Sequence, residues 1–159
     1  MRPRPFVPES LKGDAPYVRD NTSGLVWHCC RLRAPYADVD RLQVVYHANY
    51  LRYFEFGRAS LMRDTAYSYR DIEASGYNYP IIAAGVDYFH PLQYDDVMCI
   101  HTRPAEMERV KLRFDYIITH EQSGDIACIG YTRHCAVNAS GIPVGIDAKT
   151  VHLWEIFPK

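Results

Sequence analysis

Two aspartates and a histidine stand close together in the stretch between residues 37 and 56. Asp38 and Asp40 are separated by one residue, and His47 follows a short apolar run. A carboxylate held against an apolar segment could act as a base or as a nucleophile at the mouth of a pocket. The alternative is a solvated loop acid, which is the default for an isolated aspartate. The choice depends on the elements that position these residues.

A long apolar helix is predicted directly after them. From residue 48 to about residue 67, Tyr50, Phe54, Gly57 and Leu61 form a stripe with the 3.6-residue period of an α-helix. The helix is more apolar than a surface helix needs, so we expect cover on more than one side. Gly57 lowers helix propensity, and the close approach of another backbone would explain it.

Five runs have the pattern of strands, namely residues 25–32 before the helix and 79–90, 97–103, 109–118 and 126–137 after it. The run 109–118 alternates most clearly, with apolar side chains on one side and charged ones on the other. Residues 151–157 suit either a short helix or an edge strand. This order predicts an α+β fold, with an antiparallel sheet of five or more strands wrapped around one long central helix.

The composition fits one domain with one core. The chain has 159 residues, is 48% hydrophobic and carries a net charge of −1, so it lacks the basic character of a nucleic-acid binder. No run approaches the roughly 20 apolar residues of a membrane span. Residues 1–22 are polar and rich in proline, without the apolar core of a secretory signal. We predict a flexible N-terminal arm over 1–22 and the domain over 23–159.

Neither the cysteines nor the histidines show a metal-binding pattern. The five cysteines have no CxxC spacing, and no two histidines are four residues apart on an evident helix. We therefore expect reduced thiols, a cytoplasmic protein and no metal site.

The string YADVDRLQVVYHANYLRYFEFGR resembles the 4-hydroxybenzoyl-CoA thioesterase family of hot-dog fold proteins, and most of all its bacterial Tol–Pal-associated acyl-CoA thioesterase branch. Asp38, Asp40, the run 44–47 and Tyr50 stand at the places of the family pattern. The stretch YPIIAAGVDYFHPLQYDDVMCI is similar to the family's second strand, its proline turn and the start of its third strand. The loop at 41–43 lacks the family's usual glycine, which leaves its shape open.

The resemblance implies a single hot-dog domain that hydrolyses an acyl-CoA thioester to a carboxylic acid and free coenzyme A. It implies that Asp40 is the nucleophile or the general base. The N–H groups of His47 and Ala48, at the start of the central helix, would bind the developing oxyanion. The His47 side chain would place water or substrate, or would be a structural residue of the helix start.

The same resemblance implies a homodimer or homotetramer with sites at subunit interfaces, completed there by residues 83–87. It implies no cofactor, since coenzyme A is part of the substrate. Tyr46 and Tyr50 are candidates for the acyl pocket, although a tyrosine on a buried helix face is more often part of the core. Arg41, Arg109 and Lys111 are candidates for the coenzyme A phosphates, or else solvated charges.

Two other functions remain open at this point. The altered loop at 41–43 suits a non-catalytic acyl-CoA-binding module, and a related hot-dog enzyme could act on acyl-carrier proteins as a thioesterase or dehydratase. A dehydratase would want a histidine and an acid in a different arrangement. Aromatic and medium aliphatic acyl groups fit the aromatic-rich sequence equally well.

Overall fold

A computed structural model describes residues 2–11, 16–65 and 67–159. The strands are β1 (Pro8–Ser10), β2 (Tyr17–Asp20), β3 (Val26–Arg33), β4 (Ile81–Tyr88), β5 (Val97–Met107), β6 (Lys111–His120) and β7 (Ile126–Cys135). The helices are α1 (Asn49–Asp64), α2 (Tyr69–Ala74) and α3 (Ala148–Ile156). The strands form one sheet in the order β1-β2-β3-β5-β6-β7-β4, and every neighbouring pair is antiparallel.

The sheet wraps around α1, which confirms the predicted α+β layout. α1 is a 16-residue helix, and its buried face packs into the main core. Phe54 is fully buried and stacks on Tyr116 of β6, with ring centroids 4.3 Å apart and an interplanar angle of 6°. The alternation predicted for β6 is also present, because Leu112, Phe114 and Tyr116 are all buried. The period-two pattern of β6 and the 3.6-residue pattern of α1 therefore predict the two layers of the core, the sheet and the central helix.

Gly57 lies where α1 comes closest to β5. A Cβ atom at this position would lie 2.6 Å from both Ile100 Cγ2 and Thr102 Oγ1. A close approach was predicted, but it is made by these two side chains rather than by another backbone. The absence of a side chain at residue 57 lets the helix sit directly on the strand.

The N-terminal segment contributes two strands that the sequence did not predict. β1 pairs with β2, and β2 pairs with β3, so both extend the edge of the sheet. Residue 1 and residues 12–15 of the predicted arm lie outside the described residues. Two short parts of the predicted arm thus pair with the sheet, and the division into an arm over 1–22 and a domain over 23–159 stays a prediction.

Asp20 shows what holds this segment in place. Its carboxylate accepts the N–H of Val7 at 2.9 Å, the hydroxyl of Thr22 at 2.8 Å and the hydroxyl of Ser23 at 2.6 Å. Burial acts to raise the pKa of Asp20, but the hydrogen bonds from Ser23, Val7 and Thr22 outweigh it and lower the pKa to about 2. The buried carboxylate therefore stays charged and ties residue 7 to the turn after β2.

Two short helices cover the far end of α1. α2 was not predicted; it starts with a capping box formed by Ser68 and Asp71. α3 shows that the C-terminal segment is a helix, with Asp147 accepting the N–H of Thr150 as its N-cap. Together they close a second core cluster that includes Leu61, Ile72 and Leu153.

No helix in the described part of the chain combines the length and apolar character needed to cross a membrane. Within the same residues, no group of three or more histidine, cysteine or acidic side chains is arranged to hold a metal ion. The five cysteines all lie in strands as free thiols.

Buried histidines predict a strong acid sensitivity. Burial lowers the pKa of His101 to about 3, and burial together with the charge of Arg58 lowers the pKa of His134 to about 4. Both side chains are therefore neutral in the folded protein, while in the unfolded chain they take up protons below about pH 6.5. The unfolded state then binds more protons, so the free energy of unfolding should fall by about 1.4 kcal/mol per pH unit for each histidine between about pH 6.5 and 4.

Urea unfolding at several pH values between 4 and 7 measures this slope. The range covers the pH values at which the two histidines are neutral in the folded protein but protonated in the unfolded chain. His101→Gln should make the slope shallower by one histidine's share, about 1.4 kcal/mol per pH unit. His90→Gln replaces an exposed histidine and should leave the slope unchanged. Equal slopes for all three proteins would show that His101 is not neutral in the fold.

Candidate active site

Asp40 lies in a tight turn between two short antiparallel segments. Its N–H donates to the carbonyl of Val44 at 3.0 Å, and the N–H of Gln43 donates to the carbonyl of Asp40 at 2.9 Å. Carboxylate oxygen Oδ1 accepts the N–H of Leu42 at 2.8 Å. The other oxygen, Oδ2, has no hydrogen-bond partner among the described residues. The half-buried carboxylate is thus fixed in direction and keeps one oxygen free to take a proton or to attack.

This turn keeps the conformation that a glycine would favour, although residues 41–43 contain none. Gln43 has a φ of 61°, which is in the left-handed region. Three-residue hairpin loops commonly place their last residue in this conformation. The loop keeps its turn without a glycine, because Gln43 adopts the strained conformation at a cost of about 1 kcal/mol.

Replacing Gln43 by glycine should raise the free energy of unfolding by up to about 1 kcal/mol, because glycine takes a positive φ without steric cost. Gln43→Ala is the matched control, since it removes the same side chain but retains the strain. Urea unfolding of the three proteins measures the effect. An equal gain in the alanine variant would mean that the side chain, and not its φ, is the cause.

Asp38, the first aspartate of the pair, is buried with 6% of its surface exposed. Its carboxylate accepts the hydroxyl of Tyr53 at 2.6 Å and a hydrogen bond from the guanidinium of Arg52, both on α1. Its carbonyl accepts the N–H of Tyr46 and the side-chain amide of Asn49, each at 2.9 Å. Asp38 therefore ties the acidic turn to the first turns of α1.

α1 begins without a side-chain cap. Ala48 occupies the cap position and offers no oxygen, and the first turn of the helix contains no acidic residue. Neither the N–H of His47 nor that of Ala48 has a hydrogen-bond partner among the described residues. Because the helix dipole adds positive potential at this end, the two free donors suit an oxygen that becomes negative.

Aromatic side chains surround this helix start. Tyr88, the last residue of β4, donates its hydroxyl to the carbonyl of His47 at 2.7 Å. The ring centroid of His47 lies 4.3 Å from that of Tyr46, and the ring centroid of Tyr50 lies 5.2 Å from that of Tyr88. Tyr46, His47 and Tyr88 are exposed, whereas Tyr50 packs in the core and burial raises its pKa to about 12. Of the two predicted pocket tyrosines, only Tyr46 contributes surface to the site.

A carboxylate with a free oxygen and an uncapped helix start are thus held in one short segment. This combination can activate a water molecule or attack a carbonyl, and it can stabilise the oxyanion that results. The profile of the thioesterase-like superfamily matches residues 35–152, a span that includes every residue of this segment. The chain belongs to the thioesterase-like superfamily.

Several known proteins are similar to this thioesterase. YneP of Bacillus subtilis, whose name gives it provisionally as an acyl-CoA thioesterase, is 31% identical over 103 residues, which cover 65% of this chain and 74% of YneP. The acyl-CoA thioester hydrolase YbgC of Escherichia coli O157:H7 is 28% identical over 92 residues, which cover 58% of this chain and 69% of YbgC.

The DHNA-CoA thioesterase of Staphylococcus aureus has a crystal structure that superimposes with a TM-score of 0.75 at 25% identity, over 81% of this chain and 88% of that one. These similarities confirm the hot-dog fold and identify the chain as a thioester hydrolase.

The basic residues predicted for this thioesterase lie in two places. Arg41 is exposed on the turn, directly after Asp40. Lys111 begins β6 and Arg109 lies two residues before it. At the opposite end of the strand His120 contacts the carbonyl of Pro91 at 3.1 Å, and the next carbonyl, that of Leu92, accepts the N–H of Val45 at 2.7 Å, close to the turn of Asp40. Ten residues of strand span about 30 Å. Within one chain, β6 therefore runs away from the turn of Asp40, and the binding of the coenzyme A phosphates by Arg109 and Lys111 stays a prediction.

Sequence reasoning missed three residues that shape the site of the thioesterase. Arg52 and Tyr53, the fourth and fifth residues of α1, bind Asp38, and Tyr88 fixes the carbonyl of His47 from the end of β4. These contacts span 14, 15 and 41 residues of sequence, so no local pattern points to them. The helical period places Arg52 on the exposed side, and only its long side chain reaches back to the turn.

Proposed function

We propose that this thioesterase hydrolyses acyl-CoA thioesters, with Asp40 as the catalytic carboxylate and the N–H groups of His47 and Ala48 as the oxyanion hole. The observation that carries the proposal is the uncapped start of α1, held by hydrogen bonds beside the turn of Asp40. The names of YneP and YbgC support the same substrate class. Water, one carboxylate and two backbone donors suffice for the reaction, so the proposal includes no cofactor.

The reaction can start in two ways. As a general base, Asp40 takes a proton from water while the water oxygen bonds to the thioester carbon. As a nucleophile, the carboxylate attacks that carbon itself and forms a mixed anhydride, which water then cleaves. In both, the carbonyl oxygen becomes negative and accepts hydrogen bonds from the two N–H groups. The carbon–sulfur bond then breaks, and the sulfur leaves as the thiolate or receives the proton. In this proposal the exposed His47 ring orients water or substrate.

The identity of the acyl group is a further part of the proposal. An open side formed by Tyr46, His47 and Tyr88 suits an aromatic acyl group, and a medium aliphatic one can lie on the same rings. Assignment to the 4-hydroxybenzoyl-CoA family, or to the Tol–Pal-associated branch, stays a prediction from the motif. A cytoplasmic location stays a prediction as well, which free thiols and a coenzyme A substrate support.

A homodimer through the edge of β4 would complete the site. β4 ends the sheet, and Ile81, Ile82 and Tyr88 on it are each about half exposed, at 51%, 50% and 47%. An apolar edge strand of this kind favours pairing with another strand. Antiparallel pairing with a second copy about a two-fold axis would place the start of the copy's β4 beside Tyr88. A homotetramer could form from two such dimers.

The same arrangement gives the distant basic residues a role. The start of β6 lies at the same end of the sheet as the start of β4, since both are next to β7. In the two-fold dimer, Arg109 and Lys111 of a second copy would therefore lie at the end that holds the site. They could then bind the coenzyme A phosphates together with Arg41.

Thiol release from short aliphatic, long aliphatic and aromatic acyl-CoAs tests the function. We expect turnover that rises linearly with protein concentration for at least one class. Tight binding of acyl-CoA without thiol release would contradict the proposal and favour a binding module. Release only from acyl-carrier-protein thioesters would favour the related hot-dog hydrolase, and reversible water loss from a hydroxyacyl thioester would favour a dehydratase.

A further inference from the structure

A buried arginine without an acidic partner lies in the second half of α1. Arg58 is 5% exposed, so its guanidinium is largely removed from water. None of the ion pairs formed by the described residues includes Arg58. Buried charges in proteins are normally paired, which makes this residue an exception that needs an explanation.

The partners that Arg58 does have are neutral hydroxyl groups. Its Nε donates to the hydroxyl of Tyr69, and Nη1 donates to Tyr116 at 2.8 Å and to Thr132 at 3.5 Å. Burial acts to lower the pKa of Arg58, but the contacts with Tyr116 and Tyr69 outweigh it and the pKa is raised, so the group stays charged. The two N–H groups of Nη2 have no partner among the described residues. Arg58 therefore keeps a positive charge and two donors unused.

These donors belong to a residue that lines a cavity of about 470 Å³. The cavity is bounded by the middle of α1, by α2 and by the chain that leads into β4. Its lining is Glu55, Arg58, Tyr69, Ile72, Glu73, Tyr77, Asn78, Tyr79, Pro80 and Val137. The cavity thus combines aromatic walls with one buried cation.

The fold alone does not account for the charge. The three hydroxyl contacts position the side chain, but an apolar residue of similar volume would fill the space without the cost of burying an ion. A planar guanidinium with two free N–H groups matches the two oxygens of a carboxylate. A ligand with a carboxylate would supply the anion that the described residues do not.

Two acids at the cavity oppose such a ligand only weakly. Glu55 and Glu73 are both exposed, and neither forms an ion pair with Arg58. Water and salt screen the exposed carboxylates, whereas the interaction with the buried guanidinium acts at a lower effective dielectric. The attraction to the buried Arg58 therefore outweighs the repulsion by the two exposed glutamates.

We propose that this cavity binds a carboxylate group, with the free Nη2 of Arg58 as its principal donor. Two sources share this chemistry. One is the far end of an acyl group that carries a second carboxylate, an assignment that rests on the proposed thioesterase function. The other is a free carboxylic acid, such as the product of hydrolysis.

The position of the cavity is compatible with the acyl source in a dimer. It lies next to Pro80, at the start of β4, while the thioester site lies next to Tyr88, at the end of the same strand. Along one strand this separates them by more than about 20 Å. In the two-fold dimer proposed above, the cavity of one copy would instead be beside the thioester site of the other.

Direct binding tests the site without any catalysis. Octanoate is titrated into the full-length protein in a calorimeter, with octanol as a neutral probe of the same length. We expect octanoate to bind, and Arg58→Met to weaken it by at least about tenfold while leaving octanol unaffected, since charged hydrogen bonds are worth about 1.5–3 kcal/mol. Arg70→Met removes an exposed charge on α2 outside the cavity, so it is the matched control and should bind octanoate like the wild type.

Two further variants keep the test informative if Arg58→Met fails to fold. Asn78→Asp introduces a carboxylate at the cavity lining and should weaken octanoate binding, because it supplies the missing anion itself. Glu73→Gln removes a negative charge from the cavity lining and should tighten the binding of octanoate. No octanoate binding by the wild type, or binding that is indifferent to both Arg58→Met and Asn78→Asp, would overturn the proposal.

The source of the carboxylate is resolved by turnover of a matched pair, octanedioyl-CoA and octanoyl-CoA. If the acyl tail binds at Arg58, the ratio of kcat/KM for the two substrates exceeds one and falls at least about tenfold in Arg58→Met. If a free acid is the ligand, that ratio is the same in both proteins and octanoate binding still depends on Arg58. Octanoate binding without any thioester turnover would contradict the thioesterase function but support the carboxylate site.

Discussion

Asp40→Asn is expected to lower kcat for thioester hydrolysis by about a hundred- to ten-thousand-fold, the range typical of losing a catalytic acid or base. The asparagine side chain has almost the same shape, and its oxygen can still accept the N–H of Leu42 that Oδ1 accepts at 2.8 Å. The turn should therefore keep its structure, while the charge and the proton acceptor are lost. Initial rates of thiol release at saturating substrate give the change in kcat.

Asp96→Asn is the matched control for this variant. Asp96 also accepts a backbone N–H, that of Gln93 at 2.8 Å, and is not part of the proposed site. It should turn over substrate at close to the wild-type rate. If Asp40→Asn retained wild-type kcat with an unchanged unfolding transition, catalysis by Asp40 would be excluded, and another group would have to activate the water.

Phe54→Ala is expected to cost about 3–5 kcal/mol of the free energy of unfolding, the range measured for large-to-small substitutions of buried aromatic residues. Phe54 is 0% exposed and stacks on Tyr116, so its removal leaves a cavity between α1 and the sheet. The backbone of Gly130 also lies against the Phe54 ring, since a Cβ atom at residue 130 would be 2.5 Å from Phe54 Cε2. The ring is thus closely enclosed and its space cannot be filled by a small shift.

Phe56→Ala provides the comparison on the same helix. Phe56 is 39% exposed and should cost less than about 1 kcal/mol, as is usual for surface positions. Urea unfolding of both variants, with the wild type in parallel, measures the difference. Similar losses in the two variants would mean that α1 is not seated on the sheet through Phe54.

The fold was predictable where a local repeat determined the structure. The period of Tyr50, Phe54 and Leu61 predicted α1 within three residues at its C-terminal end, and alternation predicted β6 together with its buried side. β1 and β2 were missed because they have only three and four residues, too few for an alternating pattern to stand out. Their place comes from pairing with β3 and from the hydrogen bonds of Asp20, which depend on the folded sheet.

The candidate site was predictable only for residues that are close together in the sequence. Asp40 and His47 are seven residues apart and belong to the same hairpin and helix start, so the motif places them together. Tyr53 supports the turn from further along α1 and Tyr88 supports the helix start from β4, and sequence spacing shows neither contact. The end of the sheet at which Lys111 lies is likewise not visible in the sequence, because it follows from the strand order.

The most direct measurement is a crystal structure of Asp40→Asn with an intact acyl-CoA bound. We expect the thioester oxygen to lie about 2.7–3.1 Å from the N–H nitrogen of His47 or Ala48, with the carbonyl carbon beside the residue 40 side chain. A thioester bound at the uncapped helix start would also show which residues of a second copy complete the site. A thioester bound elsewhere, with residue 40 and the start of α1 free of ligand, would rule out catalysis by Asp40 and the oxyanion hole at the helix start.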